Sequence, residues 1–191
     1  HHEAEELQEE RRELCALSKS LGDDKQAFKK ATVAEVYSPP RVTKAATMLP
    51  RLGIEAGAAL DITTCDENGK PWDFSAVMRG KAEELVDRDE PDLLVGSPMC
   101  AAFSAWQRLN RVRSRDPDKY RRMREDAVTH LRFVCHLYRK QIQAGRLFLH
   151  EHPAQADSWG EECIKDVMEL EGVGFVVMDQ CQLGQFDVDG R

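Results

Sequence analysis

The chain has 191 residues, of which 41% are hydrophobic and 32% charged, the composition of a soluble globular protein with one core rather than of a fibrous or disordered one. No apolar run approaches the ~18 residues of a membrane span, and no secretory pattern opens the chain. The formal net charge of −7 weighs against a nucleic-acid partner until its distribution is considered.

That distribution is uneven. Residues 1–13 hold six glutamates and two arginines, whereas 108–124 hold seven arginines and one lysine against Asp116 and Asp118, a local balance of +6. Such a run is either a solvated helix face or a phosphate-binding stretch. The six cysteines (15, 65, 100, 135, 163 and 181) are scattered singly with no CxxC pair. This spacing excludes a zinc-finger-type cage and points to reduced thiols in an intracellular compartment. His1 at one end and the turn-like Gly190-Arg191 at the other give the expectation of a piece of a longer chain.

Residues 3–30 are polar and free of proline, and predict a peripheral helix broken near Gly22-Asp23-Asp24. The organised domain is expected over 32–191, after an N-terminal helical extension over 1–31. Segment 32–38 (TVAEVYS) alternates and is β-branched, so it predicts a strand; Pro39-Pro40 and a helix over Arg41–Leu52, closed by Gly53, follow. A second strand is expected over 55–62, ending on Asp61. A polar turn then leads to Trp72-Asp73-Phe74 and a helix over about 75–87. The continuous apolar run 92–96 predicts a buried parallel strand. Beyond the basic stretch, the spacing predicts a helix over 118–143 with Val128, Leu131, Val134, Cys135, Leu137, Tyr138 and Ile142 as its apolar stripe, and Gly145 as its stop. A strand over 146–150, a helix over 157–171 and a strand over 173–179 (VGFVVMD) complete the series. Alternating strands and helices imply an α/β, Rossmann-like, mostly parallel sheet with helices on both faces.

In such sheets ligands bind beyond the carboxyl ends of the strands, and Ser38, Asp61, Cys100 and Glu151 all fall where a predicted strand gives way to a loop. Cys100, after an apolar strand and a proline, is placed to act as a nucleophile if its thiolate is favoured. Glu151 could hold a ligand or a proton. His150 and His152 point the same way along a strand, but spacing supplies no third metal ligand. Asp61 and Asp73 could accept hydrogen bonds from a ribose or an adenine amino group, and are equally ordinary turn formers. After the first strand, Ser38-Pro39-Pro40-Arg41 stands where a nucleotide-binding sheet would carry glycines.

The run Asp92-Leu-Leu-Val-Gly-Ser-Pro-Met-Cys-Ala-Ala-Phe-Ser104 resembles the Pro-Cys motif of cytosine-5 DNA methyltransferases. Phe148–Pro153 sits where that family has its Glu-Asn-Val motif, and Glu35-Val-Tyr-Ser38 resembles the opening of its cofactor motif. The resemblance covers about residues 32–182 and is nearest to the methyltransferase-like segment of dinoflagellate-type retrotransposon polyproteins, through Glu35–Arg41, Ser97–Cys100, His150–Pro153 and Asp179–Cys181. It implies a nuclear or otherwise intracellular enzyme using S-adenosylmethionine. By that resemblance Cys100 adds to carbon 6 of a flipped-out cytosine, Glu151 binds the base near ring nitrogen 3, and the methyl group passes to carbon 5. The cofactor would lie along Glu35, Tyr37, Ser38, Asp61, Asp73, Phe74 and Pro98, and Arg108, Arg111, Arg113 and Arg115 would track DNA phosphates.

This sequence departs from the family pattern at the cofactor loop, where Pro39 and Arg41 replace glycines, at Met99 in place of a second proline, and at His152 in place of asparagine. Two backbone donors are lost with Pro39 and Pro40, which predicts weaker cofactor binding than is usual for the family. The alternatives are a catalytically inert nucleic-acid-binding module of a retrotransposon polyprotein and a metal-dependent hydrolase using His150 and His152.

Overall fold

A computed structural model describes residues 30–104, 107 and 116–179 of the protein. The helix expected over 3–30 (Lys30 apart), together with Arg108, Arg111, Arg113, Arg115 and Cys181, lies outside the described residues. The chain divides between Lys30 and Ala31, and the description concerns the second unit.

Four strands, β1 (Ala31–Val36), β2 (Ile54–Leu60), β3 (Leu93–Gly96) and β4 (Leu147–His150), form one sheet in the order β2-β1-β3-β4. Every pairing is parallel. Among the described residues, the helices that connect or follow the strands include α1 (Val42–Met48), α2 (Ala76–Asp89), α3 (Pro117–Gln143) and α4 (Glu162–Met168). The alternation of β1 sorts them onto two faces. Val33 packs with Ala46 of α1 and Val95 of β3, while Ala34 and Val36 belong to the larger core with Met78, Ala82 and Val86 of α2 and Leu131, Val134 and Tyr138 of α3. The fold is thus an α/β Rossmann-like sheet with helices on both faces. Each large apolar side chain buried here contributes about 1.5–3 kcal/mol relative to exposure.

Local chemistry sets the ends of the helices. The Ser75 hydroxyl accepts the Met78 N–H at the start of α2, and the Asp116 carboxylate accepts the Lys119 N–H at 3.1 Å at the start of α3. Gly145, in the left-handed region at φ 69°, turns the chain out of α3.

Three predicted elements differ from what forms. The helix expected over Arg41–Leu52 stops at Met48, because Leu49 precedes a proline and takes φ −122°, ψ 62°; Pro50–Leu52 is a separate 3₁₀ turn. The helix expected over 157–171 is divided into a 3₁₀ turn, Asp157–Gly160, and the shorter α4, with Glu161 extended between them. No strand forms over 173–179. There Phe175 is held edge-to-face on Trp159, with centroids 5.0 Å apart, and Phe175, Val176 and Met178 line a cavity beside β4. Side-chain packing positions this segment, and among the described residues β4 is the last strand of the sheet.

No helix among the described residues is long and apolar enough to cross a membrane.

Candidate functional site

The carboxyl ends of β1, β3 and β4 lie side by side, and their loops are tied together. Parallel registry pairs Val36 with Gly96 and Gly96 with His150. Beyond those residues the Ser97 N–H donates to Val36 O at 3.2 Å, and the Glu151 N–H donates to Gly96 O at 3.0 Å. The loop carrying Cys100 and the loop carrying Glu151 are therefore neighbours by topology.

A side-chain bond joins these two loops. His152 Nε2 lies 2.7 Å from Pro98 O, and its Nδ1 lies 2.6 Å from the Ser158 hydroxyl. A carbonyl only accepts, so Nε2 carries the proton; burial holds the ring below its usual pKa and therefore neutral, which makes Nδ1 the acceptor of the Ser158 O–H. His152 is buried, so this arrangement fixes Pro98 against the β4 loop. Cys100 is half-buried and begins the 3₁₀ turn Ala101–Phe103, whose last N–H donates to Cys100 O at 2.9 Å. Glu151 is exposed. It lines two cavities beside β4, each of about 350 Å³, and Cys100 lines neither. A larger cavity of about 680 Å³ opens between the turn after Cys100 and α3, lined in part by Ala102, Ser104, Met123 and Arg124.

Four of the seven residues expected around the cofactor fall into two groups. Glu35 is completely buried and faces α1. Its carboxylate accepts the Ser38 hydroxyl at 2.9 Å, the Arg41 N–H at 3.1 and 3.3 Å, and the Thr43 N–H and hydroxyl at 2.8 and 2.6 Å. Burial pushes its carboxyl up, but the bonds from Thr43, Val42 and Ser38 outweigh this and hold it below the usual range. Glu35 and Ser38 thus close the β1 loop onto the start of α1. The Arg41 N–H, the first backbone donor after two prolines, is consumed in doing so.

Tyr37 and Phe74 make the second group. Both are in the left-handed region, at φ 58° and 48°, and their rings stack 3.8 Å apart at 27°. The Tyr37 hydroxyl meets His130 Nδ1 at 2.9 Å, and Arg79 donates to Phe74 O at 2.7 Å. Burial raises the Tyr37 hydroxyl pKa and lowers that of His130. Positive φ in two bulky residues is strained backbone, and such strain persists only where surrounding packing enforces it.

Asp61, just after β2, is buried and accepts the Thr63 N–H and hydroxyl at 3.0 and 2.6 Å. Asp73 is exposed and accepts the Ser75 N–H at 3.0 Å, which lowers its pKa. Asp61 directly follows β2, whereas Asp73 lies two residues before the Ser75 cap of α2.

His150 has Nδ1 3.0 Å from the Tyr138 hydroxyl, and burial pushes its pKa down to about 3. Its ring lies 4.8 Å from that of His152, so the two do face the same way. With both nitrogens of His152 engaged by protein, the pair does not make a chelating set. Among the described residues no group of three or more His, Cys, Asp or Glu side chains could hold a metal ion.

Four residues that matter here are absent from the sequence expectations: His130, Ser158, Trp159 and, as a polar group, Tyr138. His130 was legible in principle. It stands four residues before Val134 and eight before Tyr138, on the inward face of α3.

The described arginines of the basic stretch each lie beside a carboxylate. Arg121 meets Asp118 and Glu125, each at 3.2 Å, Arg122 approaches Asp116 at 3.8 Å, and Arg124 pairs with Glu161 while lying over the Phe103 ring.

Comparison with protein-family models, curated proteins and solved structures finds no match to this chain.

Proposed function

We propose that this chain is a cytosine-5 DNA methyltransferase-like domain of an intracellular, nuclear protein, with DNA cytosine as substrate. The observation that carries the reading is the junction of the Pro98–Cys100 loop with the Glu151–His152 loop across β3 and β4, sealed by the His152 bond to Pro98. Cys100 would supply the thiolate that adds to carbon 6 of the flipped-out base, and this addition makes carbon 5 electron-rich. Glu151, exposed at the end of β4, would hold the Watson–Crick edge. S-adenosylmethionine would supply the methyl group, with Asp61 and Asp73 as the residues that hold its ribose and adenine. When the proton leaves carbon 5, the thiolate is expelled and the base is released.

A second reading is favoured by one specific observation. Glu35 takes up the backbone donors after Pro40. An inert nucleic-acid-binding module of a retrotransposon polyprotein would have no use for those donors.

Two measurements separate the readings. Calorimetric titration with S-adenosylmethionine should release heat with an affinity weaker than micromolar. DNA containing 5-fluorocytosine, supplied with the cofactor, should become covalently attached to the wild type and not to Cys100→Ser, because fluorine at carbon 5 blocks the elimination that frees the enzyme. No heat and no adduct would overturn the methyltransferase reading and leave the inert module.

A further inference from the structure

We propose that the cavity of about 350 Å³ between β4, α4 and residues 173–178 is a binding site for a neutral aromatic molecule of one or two rings, whose hydrogen-bond acceptor takes the His150 Nε2–H. The inference stands apart from the methyltransferase reading, since Cys100 does not line this cavity. The alternation of β4 turns Phe148 and His150 towards Tyr138 of α3. The buried Tyr138, Ile164 and Val167 form the floor. Trp159 supplies a wall, with the His150 ring edge-on to it at 5.4 Å and the Phe175 ring at 5.0 Å. On the outer side Phe175, Val176, Val177 and Met178 are 52–72% exposed, and all but Val177 line the cavity. Successive large apolar side chains left on solvent beside a cavity mark a binding surface.

One polar atom gives the site its chemistry. His150 Nδ1 lies 3.0 Å from the Tyr138 hydroxyl, which has no other hydrogen-bond partner among the described residues. His150 Nε2 is buried and has none at all. Burial keeps the ring neutral, its pKa pushed down to about 3, so it holds a single proton. With that proton on Nδ1, the Nε2 lone pair and the Tyr138 proton would both be buried unpaired. With it on Nε2, the Tyr138 hydroxyl donates to Nδ1 and one orphan remains, the Nε2–H. Buried donors rarely stay unpaired, and a ligand acceptor removes this exception. The volume lies at the lower end of small-molecule sites, roughly 300–1,000 Å³, which sets the limit of one or two rings. The aromatic walls favour a flat ligand. A neutral imidazole offers no counter-charge, and the Glu151 carboxylate on the same cavity repels an anion, so the ligand is neutral.

Two probes of one shape test this on the full chain: acetophenone, which carries a carbonyl acceptor, and isopropylbenzene, which does not. Nitrogen NMR of the free protein should find the His150 proton on Nε2. Acetophenone should shift that signal and the Trp159 indole signal saturably, and should bind about ten-fold more tightly than isopropylbenzene, the worth of one hydrogen bond. His150→Phe combined with Tyr138→Phe, a pair of rings with no orphan, should bind the two probes alike. If that double variant fails to fold, Met168→Trp, made at an exposed position on the cavity, should fill the space and abolish the shifts. The proposal is overturned if the free protein carries the proton on Nδ1, or if the wild type binds both probes equally. It is equally overturned if neither probe moves the Trp159 signal, or if Met168→Trp binds acetophenone as the wild type does.

Discussion

The hydroxyl of Tyr138 rests where a side chain of residue 96 would begin: a Cβ built on Gly96 would stand 1.9 Å from that oxygen and 2.8 Å from Val134 Cγ2. The same hydroxyl bonds His150, the strand partner of Gly96. Glycine at the end of β3 is therefore what lets α3 approach the sheet and reach β4.

Gly96→Ala should destabilise the domain by about 1–3 kcal/mol, the usual cost of overpacking a filled core. Tyr138→Phe removes the nearest atom, leaving the ring carbon at 2.9 Å. The double variant should therefore be less destabilised than the two single changes added together. Urea denaturation of all four proteins checks this, and strict additivity would show that the two residues do not share the space.

Stability should fall on acidification well above the carboxylate range. His150 is held neutral, its pKa pushed from 6.5 to about 3 by burial, and His152 is lowered in the same direction. Below pH 6.5 the unfolded chain takes up protons that the folded chain refuses, so stability rises with pH across this window. For His150 it declines from pH 6.5 towards 3 at up to about 1.4 kcal/mol per unit, and His152 adds to the fall in the same sense. His150→Gln should flatten the slope of denaturation midpoint against pH between 6 and 4. An unchanged slope would show that His150 titrates normally.

Glu35→Gln should behave as a structural change, not as a loss of ligand affinity alone. An amide in place of the carboxylate turns one acceptor into a donor facing the N–H and hydroxyl groups of Arg41, Ser38 and Thr43. We expect a cost of about 1–3 kcal/mol. Because the Glu35 carboxyl is lowered in the fold, its contribution is present above about pH 4.5 and is lost as pH falls through the folded value. The variant should lose that part of the acid dependence. Unchanged stability with weakened S-adenosylmethionine binding would instead place Glu35 in a ligand site.

Much of the sheet was legible because buried parallel strands announce themselves: the run 92–96 has no polar interruption after Asp92, and β3 lies within it. Strand and helix order, and the placement of Asp61, Cys100 and Glu151 after strands, follow from the same periodicities. What was not legible depends on neighbours. Residues 173–179 carry a strand pattern, yet a strand forms only with a paired edge, and Phe175 finds Trp159 instead. Glu35 entered the expected cofactor set through the resemblance of Glu35-Val-Tyr-Ser38 to a family motif; that its carboxylate also caps the chain folding back at Thr43 depends on the tertiary fold and has no local sequence signal. Tyr37 carries no sequence signal for positive φ, which tertiary packing against Phe74 imposes.

The arginines of 108–124 should divide into two functional sets. Arg121, Arg122 and Arg124 each have a carboxylate beside them, so a phosphate must compete with that partner, and few counterions would be released on binding. Arg111, Arg113 and Arg115 precede Asp116, in a span of the sequence with no acidic residue between 108 and 115. Replacing these three together by alanine should weaken binding to all duplex sequences alike and reduce the slope of log affinity against log salt by about 0.9 for each phosphate no longer neutralised. Replacing Arg121, Arg122 and Arg124 together should leave the salt slope nearly unchanged. Cys100→Ser should bind duplex DNA as the wild type does, which separates backbone attraction from chemistry at the base. Fluorescence anisotropy with one labelled duplex across a salt series reads all three variants. Equal slopes for the two triple variants would mean that the carboxylates do not neutralise their arginines towards DNA, and a wild-type slope in both would make the whole stretch a solvated face.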